Sequence, residues 1–300
     1  GTRPSGRQSL AMTTDTAPAE LRIGPTQFAW GRRTYVMGIV NVTPDSFSGD
    51  GLLASDDPTS AAVAQGRRMV ADGADILDIG GESTRPGHAP VAPEDEIERV
   101  VPVVAALRAA LPGTPLSIDT TKVAVASAAI DAGADLINDV WGVSDDDGLA
   151  RLAAERGVPI VLMHNRAEAR YADLMTEILA DLQAAIERAL RAGVARDSIV
   201  VDPGFGFGKT PAHNLALLRD LGALRALGRP ILLGTSRKST LGKVLDLPAD
   251  ERLEATLATT ALGIAAGADI VRVHDVRPNV RTARMADAIV RGFAFEGETP

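Results

Sequence analysis

The sequence predicts a single-domain α/β protein, a (β/α)8 or TIM barrel, and three observations carry that prediction. Short β-favouring segments alternate with longer stretches of helical periodicity, an order that implies right-handed crossovers and a parallel sheet. The alternation occurs eight times between about residues 36 and 292, close to the ~250 residues typical of such a barrel. Three connections also repeat one device, at Asp72-Gly73-Ala74-Asp75, Ala132-Gly133-Ala134-Asp135 and Ala266-Gly267-Ala268-Asp269. Each puts a glycine between helix and strand, where the chain turns through a left-handed conformation. A doubly wound open sheet is the competing architecture.

Residues 1–30 are expected to form a flexible leader, leaving 31–300 for the barrel. Gly1 to Glu20 is rich in Ser, Thr, Pro, Gly and Ala and lacks the apolar core of a signal peptide. The expected strands are Val36–Asn41, Asp75–Gly80, Leu116–Thr120, Asp135–Asp139, Pro159–His164, Ser198–Asp202, Ile231–Thr235 and Asp269–His274. Between them, Ile97, Val100, Val101, Val104 and Leu107 follow the spacing of one helix face, with a kink expected at Pro102. Leu174, Ile178, Leu182, Ile186 and Leu190 recur every fourth residue, and Gly193 follows as a C-cap.

Composition narrows the function. Hydrophobic residues make up 45% and charged residues 23% of the 300, which is the balance of a globular domain. No apolar run reaches the roughly 18 residues of a spanning helix. The absence of cysteine excludes disulfides, cysteine-ligated zinc and iron–sulfur sites, and thiol nucleophiles. A net charge of −8, with only six Phe, two Trp and two Tyr, argues against a nucleic-acid surface.

In a parallel barrel the active site lies at the C-terminal ends of the strands, and here nearly every end carries a polar group. In order these are Asn41; Asp78, followed by Glu82-Ser83-Thr84-Arg85; Asp119; Asn138-Asp139; His164-Asn165; Asp202; Ser236-Arg237-Lys238-Ser239; and Arg272 with His274. Buried charges cost several kcal/mol unless paired, so a ring of them points to a ligand. Asp119, Asn138, Asp202 and Lys238 suit the edge of a flat heterocycle. Asn41, Thr84, Arg85, Arg272 and His274 suit a polyphosphate with Mg2+.

Plainer readings stand beside these. Asp119 ahead of Thr120-Thr121 is equally a helix cap, Asp139 and Asp275 are caps or arginine partners, and His164 reads as a packed, hydrogen-bonded core residue. Glu82 serves equally to orient Arg85 or a loop backbone. His88 and His213 read as solvated surface. The stretch Pro203 to Thr210 is not a P-loop, because Pro203 stands where the first glycine is required.

Eight runs together resemble the dihydropteroate synthase family of pterin-binding barrels. They are MGIVNVTPDSFS at 37–48, DIGGESTRPG at 78–87, SIDTTK at 117–122, INDV at 137–140, LMH at 162–164, DPGFGFGKT at 202–210, GTSRKS at 234–239 and RVHDV at 272–276. The resemblance implies condensation of 6-hydroxymethyl-7,8-dihydropterin pyrophosphate with p-aminobenzoate by an SN1-like route. It implies a pterin site of Asp78, Asp119, Asn138, Asp202 and Lys238, with Asp78 more a support than a ring contact. Pyrophosphate would meet Asn41, Thr84, Arg85, Arg272 and His274, with Mg2+ on Asn41. The p-aminobenzoate site, shared with competing sulfonamides, would comprise Phe47, Thr84, Pro86, Phe207, Lys238 and Ser239. Asp119, Lys238, Arg85 and Asp50 would act in catalysis. A cytoplasmic homodimer is the family expectation.

One departure from the family pattern lies in the first loop. Ser46-Phe47-Ser48-Gly49-Asp50-Gly51 stands where the family reads SFSDGG, so the acid is displaced by one residue. A methyl-transferring pterin barrel would share the acids but has no need of Thr84-Arg85-Pro86 or Ser236 to Ser239. A pterin-binding paralogue without activity is the other alternative.

Overall fold

The computed structural model describes residues 20–43, 57–82, 90–142 and 144–292. Its core is a ring of eight parallel strands: β3 (Tyr35–Asn41), β4 (Ile76–Gly80), β5 (Leu116–Asp119), β6 (Leu136–Asp139), β7 (Ile160–Met163), β8 (Ile199–Asp202), β9 (Leu232–Leu233) and β10 (Ile270–Val273). β10 pairs with both β9 and β3, and a parallel bridge between Val201 and Ile231 joins β8 to the start of β9. That bridge closes the ring and excludes the open sheet. Helices α1 (Pro58–Ala71), α2 (Pro93–Ala110), α3 (Val123–Asp131), α4 (Gly148–Arg156), α5 (Leu174–Arg191), α6 (Pro211–Arg219), α7 (Ser239–Leu245), α8 (Leu253–Ala265) and α9 (Val276–Arg291) surround it.

The period of two along each strand divides the interior into chemically distinct zones. Leu77, Ile79, Leu116, Ile118, Ile137, Ile160, Leu162, Ile199, Val201, Val271 and Val273 belong to the cluster between sheet and helices. The alternate positions Met37, Ile76, Leu136, Val161, Val200, Leu232 and Ile270 form a second cluster, the lower filling of the barrel. Two residues beyond these, on the same face of their strands, come Asp78, Asn138, Asp202 and Arg272. The barrel lumen is therefore apolar below and polar above.

Residues 20–30 correct the expected boundary of the leader. Glu20–Ile23 (β1) and Thr26–Ala29 (β2) form an antiparallel hairpin whose Leu21, Ile23, Phe28 and Trp30 are buried with the lower filling. Phe28, Trp30 and Tyr35 pack ring to ring at 4.6–5.7 Å between centroids. The hairpin is a floor for the barrel. Burying a side chain such as Phe28 is worth about 1.5–3 kcal/mol. Alternation at Leu21, Ile23 and Phe28 was the available signal; the polar composition of the preceding twenty residues concealed it. The rest of the expected leader, residues 1–19, lies outside the described residues.

The repeated Gly-Ala-Asp turns do two jobs. Gly73 has φ +104°; its N–H donates to Val70 and that of Ala74 to Met69, the paired bonds of a Schellman motif. Gly133 and Gly267 repeat the pattern, as does the expected cap Gly193. The aspartate that follows then accepts a backbone N–H from a neighbouring strand: Val36 to Asp75, Leu116 to Asp135 and Ile231 to Asp269, each at 2.8–2.9 Å. The motif thus ends a helix and sets the register of the next strand. Pro102 does lie within α2, and the expected periodic residues Ile178, Leu182 and Ile186 are buried on α5.

Candidate active site

At the polar end of the lumen, one guanidinium organises two carboxylates. Arg272 Nε donates to Asp78 Oδ2 at 2.6 Å and Arg272 Nη2 to Asp119 Oδ2 at 2.7 Å. Asn138 Nδ2 adds a bond to Asp78 Oδ2 at 3.1 Å. Asp78 is fully buried and Asp119 is 9% exposed. β4 and β5 hold Asp78 beside Ser117, and β5 and β6 hold Asp119 beside Asn138; the curvature of the closed sheet brings Arg272 to both acids. The second oxygens of both acids, Asp78 Oδ1 and Asp119 Oδ1, are buried without a hydrogen-bond partner among the described residues, as is Ser117 Oγ.

A second group faces them from β8 and the loops after β8 and β9. Asp202 Oδ1 accepts the Gly204 N–H at 2.7 Å. Lys238 Nζ donates to the Phe205 carbonyl and lies 4.5 Å from the centre of the Phe207 ring, a cation–π contact. Arg237, just before it, has φ +57°. That left-handed backbone is sterically costly for a side chain with a Cβ. It is held by a two-pronged ion pair to Asp275 at 2.7 and 3.0 Å, and its own N–H donates to Thr256. Ser236 Oγ lies 2.9 Å from His274 Nδ1 and accepts the His274 N–H.

Burial sets the protonation of this cluster. It pushes Asp119 up to about 7, with Arg272 opposing and Asp78 assisting. It also raises Asp202, against the pull of Lys238. Burial lowers Lys238 to about 8, opposed by Asp202. Arg272 stays charged: desolvation works against its guanidinium, but Asp78 and Asp119 outweigh it.

The expected heterocycle residues Asp119, Asn138, Asp202 and Lys238 line the lumen with Asp78, and Asp78 is the most deeply placed. Arg272, expected on the phosphate side, is bonded to the acids of the other half, so the two halves of the pocket meet in this residue. Asn41 ends β3, partly buried, and Ser239 opens α7, exposed. Phe47, Asp50, Thr84, Arg85 and Pro86 lie outside the described residues. Asp119 caps no helix, since α3 begins after Lys122. His164 is fully buried and bonded to Asp181 and Lys209, the packed-core reading. Glu82 accepts the Val91 N–H, the loop-backbone reading, and also the ammonium of Lys122, which reaches the buried Glu96 as well. Lys122 and Lys209 are not among the expected site residues, although each lies in a recognised run, SIDTTK at 117–122 and DPGFGFGKT at 202–210.

A closed barrel whose mouth joins carboxylates, a guanidinium and unpartnered acceptors defines a binder of a flat, donor-rich heterocycle. The profile of the pterin binding enzyme family matches residues 37–274. The chain is 51% identical over 272 residues to a dihydropteroate synthase of Clostridium beijerinckii, spanning 90% of this chain and 100% of that one. It is 50% identical to that of Bacillus subtilis over 89% and 92% of the two chains. Among solved structures, dihydropteroate synthase from Clostridium difficile in the presence of pteroic acid superposes with TM-score 0.84 at 48% identity, covering 88% of this chain and 99% of that one. The Xanthomonas albilineans enzyme with 4-aminobenzoic acid gives 0.84 at 41% identity, covering 90% and 98%. The Yersinia pestis enzyme with a sulfonamide drug gives 0.85 at 40%, covering 91% and 100%. The chain belongs to the pterin binding enzymes and, among them, to the dihydropteroate synthase family. It is accordingly a transferase of folate biosynthesis.

The titration of the site gives a defined pH profile. Asp119 is a carboxylate only above about 7 and Lys238 an ammonium only below about 8. A profile of kcat/KM against pH is expected to be bell-shaped, falling on the acid side as Asp119 protonates and on the basic side as Lys238 loses its proton. Asp119→Asn is expected to remove the acid limb and lower kcat/KM by roughly 10²–10³. An acid limb that persists in that variant contradicts the assignment.

Proposed function

We infer that the barrel mouth condenses 6-hydroxymethyl-7,8-dihydropterin pyrophosphate with p-aminobenzoate, releasing pyrophosphate and 7,8-dihydropteroate. The observation that carries this reading is the pair of buried, unpartnered oxygens Asp78 Oδ1 and Asp119 Oδ1 beside Asn138 and Arg272. An unsatisfied buried acceptor costs about 1–3 kcal/mol. The N–H groups along the edge of a pterin supply the donors that relieve it. Asp202 and Lys238 face the same lumen and complete the ring site.

The reaction then needs charge stabilisation more than base catalysis. The bond between the pterin methylene carbon and the pyrophosphate oxygen breaks, its electron pair leaves with pyrophosphate, and the ring delocalises the positive charge. Asp119, held in place by Arg272, opposes that charge from a buried and preorganised position. The amine of p-aminobenzoate attacks the methylene carbon and releases its proton to solvent; as a weakly basic arylamine it needs no strong base. Phe207 and Lys238 border the place for its ring, and Ser239 the place for its carboxylate. Sulfonamides compete there, in keeping with the drug and 4-aminobenzoic acid held by the Yersinia and Xanthomonas enzymes.

The leaving group calls for a cation, and the residues present fit Mg2+. Among the described residues no group of three or more His, Cys, Asp or Glu is arranged to hold a metal, whereas Asn41 offers one neutral amide oxygen at the barrel mouth. Mg2+ binds through one or two protein oxygens together with substrate phosphates and waters. Asn41 would be its protein ligand, with Arg272 and His274 on the phosphates. Bound there, the ion would neutralise charge on the departing pyrophosphate.

We propose further that the active assembly is a cytoplasmic homodimer. α8 and α9 pack together, and Leu262, Met285 and Ile289 on them are 61–72% exposed, an apolar set that a second copy would cover. Among the described residues no helix is long and apolar enough to cross a membrane. Sedimentation is expected to show a dimer that Ile289→Asp dissociates; a wild-type monomer removes this assignment. The activity itself is tested by pyrophosphate release from the pterin pyrophosphate in Mg2+ buffer. Release coupled to dihydropteroate formation on adding p-aminobenzoate is expected, and binding without turnover contradicts it.

A further inference from the structure

The loop between β8 and α6 carries Phe207 and the carbonyl that receives Lys238, yet nothing in the reaction above accounts for Lys209 at its end. Lys209 Nζ donates three hydrogen bonds: to His164 Nδ1 at 2.9 Å, to the Phe207 carbonyl at 3.0 Å and to the Gly204 carbonyl at 3.1 Å. Burial lowers Lys209 to about 7, with Asp202 opposing; as the ammonium it has three protons, and all three are placed. The loop is drawn tightly onto the end of β7. Gly204 has φ +68°, and a Cβ there would overlap the His164 carbonyl oxygen.

His164 suits this role because its tautomer is set from behind. Its Nε2 lies 3.1 Å from Asp181 Oδ2, a carboxylate that Arg166 grips through Nε and Nη2 at 3.0 and 2.7 Å. Nε2 therefore carries the proton and Nδ1 the lone pair that accepts from Lys209. Burial, reinforced by the Lys209 charge, pushes the imidazole down to about 4, so it remains a neutral acceptor. A line of contacts runs from α5 through Asp181, His164 and Lys209 to the loop, and from the loop to Lys238 through the Phe205 carbonyl and the Phe207 ring.

We propose that Lys209 is a positioning residue for the arylamine side of the pocket. Seated on His164 Nδ1 and on the Gly204 and Phe207 carbonyls, its ammonium fixes the loop that presents Phe207 and the Phe205 carbonyl to Lys238. This rests on the reaction assigned above; of the residues assigned to the pterin, Asp78, Asp119 and Asn138 have no part in the latch, while Asp202, whose Oδ1 holds the Gly204 N–H, and Lys238, which borders both rings, adjoin it.

The test is steady-state kinetics of the full-length wild type, Lys209→Met, His164→Leu, His164→Asn and the Lys209→Met/His164→Leu double variant, varying each substrate in turn. Lys209→Met keeps the length of the stem and removes the donors; His164→Asn keeps an oxygen acceptor near the Nδ1 position, and His164→Leu does not. Lys209→Met is expected to raise the KM for p-aminobenzoate about tenfold and that for the pterin pyrophosphate by a clearly smaller factor, about two- to threefold, through Asp202 and Lys238. His164→Leu is expected to match it, His164→Asn to restore most of the loss, and the double variant to be no worse than either single change. Unchanged kinetics, equal rises in both KM values, or a fall in kcat alone overturns the proposal. If Lys209→Met does not fold, the contrast between His164→Asn and His164→Leu decides on the same readout. Failure of all of these variants to fold assigns Lys209 to stability and overturns it as well. A wild type without turnover counts against the assigned reaction instead.

Discussion

Two carboxylates and one guanidinium inside a barrel are the constraint around which this molecule is arranged. Removing such charges from water costs several kcal/mol for each ion, and only close geometry with further hydrogen bonds repays it. Arg272 supplies that geometry to Asp78 and Asp119 from across the lumen. It does so incompletely, leaving one oxygen of each acid without a donor. The stability withheld at that point is what a ring with N–H groups along its edge can recover on binding. Burial that raises Asp119 to about 7 is likewise unfavourable for the empty site and would serve the proposed reaction, which develops positive charge beside it.

The scaffold makes room for those charges by confining apolar packing to two other places. Alternate strand residues pack outward against the helices, while the lower lumen is filled by apolar side chains and floored by the β1–β2 hairpin. Apolar packing thus closes the lumen beneath the polar layer. The Gly-Ala-Asp turns at the opposite end set the register of three strand pairs, among them the β5–β6 pair that brings Asp119 beside Asn138. Removing one N–H acceptor at the bottom of the barrel therefore bears on geometry at the top.

Much of this was legible in the sequence because barrel logic is periodic. Eight strand segments, the left-handed glycines and the polar strand ends are local signals, and among the described residues each emerged where expected; Thr84 and Arg85 lie outside them. β9 is shorter than its segment, two residues rather than five, because Gly234 to Lys238 leaves the ladder to make the turn that presents Lys238. What the sequence did not disclose was pairing at long range. That Arg272 reaches Asp78 and Asp119 depends on the curvature of the closed sheet across sequence separations of 194 and 153 residues. The hairpin floor was hidden by the polar segment before it, and the Lys209–His164 contact by a motif whose glycines drew attention first.

On the proposed division of labour in this pocket, in which Asp119 opposes a developing cation and no base is required, bond breaking runs ahead of bond making. The direct probe is the α-secondary deuterium isotope effect on kcat/KM with the pterin pyrophosphate labelled at its exocyclic methylene. A cation formed before the arylamine attacks predicts a clearly normal effect that does not change with p-aminobenzoate concentration. An effect near unity would mean that amine attack and pyrophosphate departure are concerted, and the buried carboxylate would then lose its proposed part in catalysis.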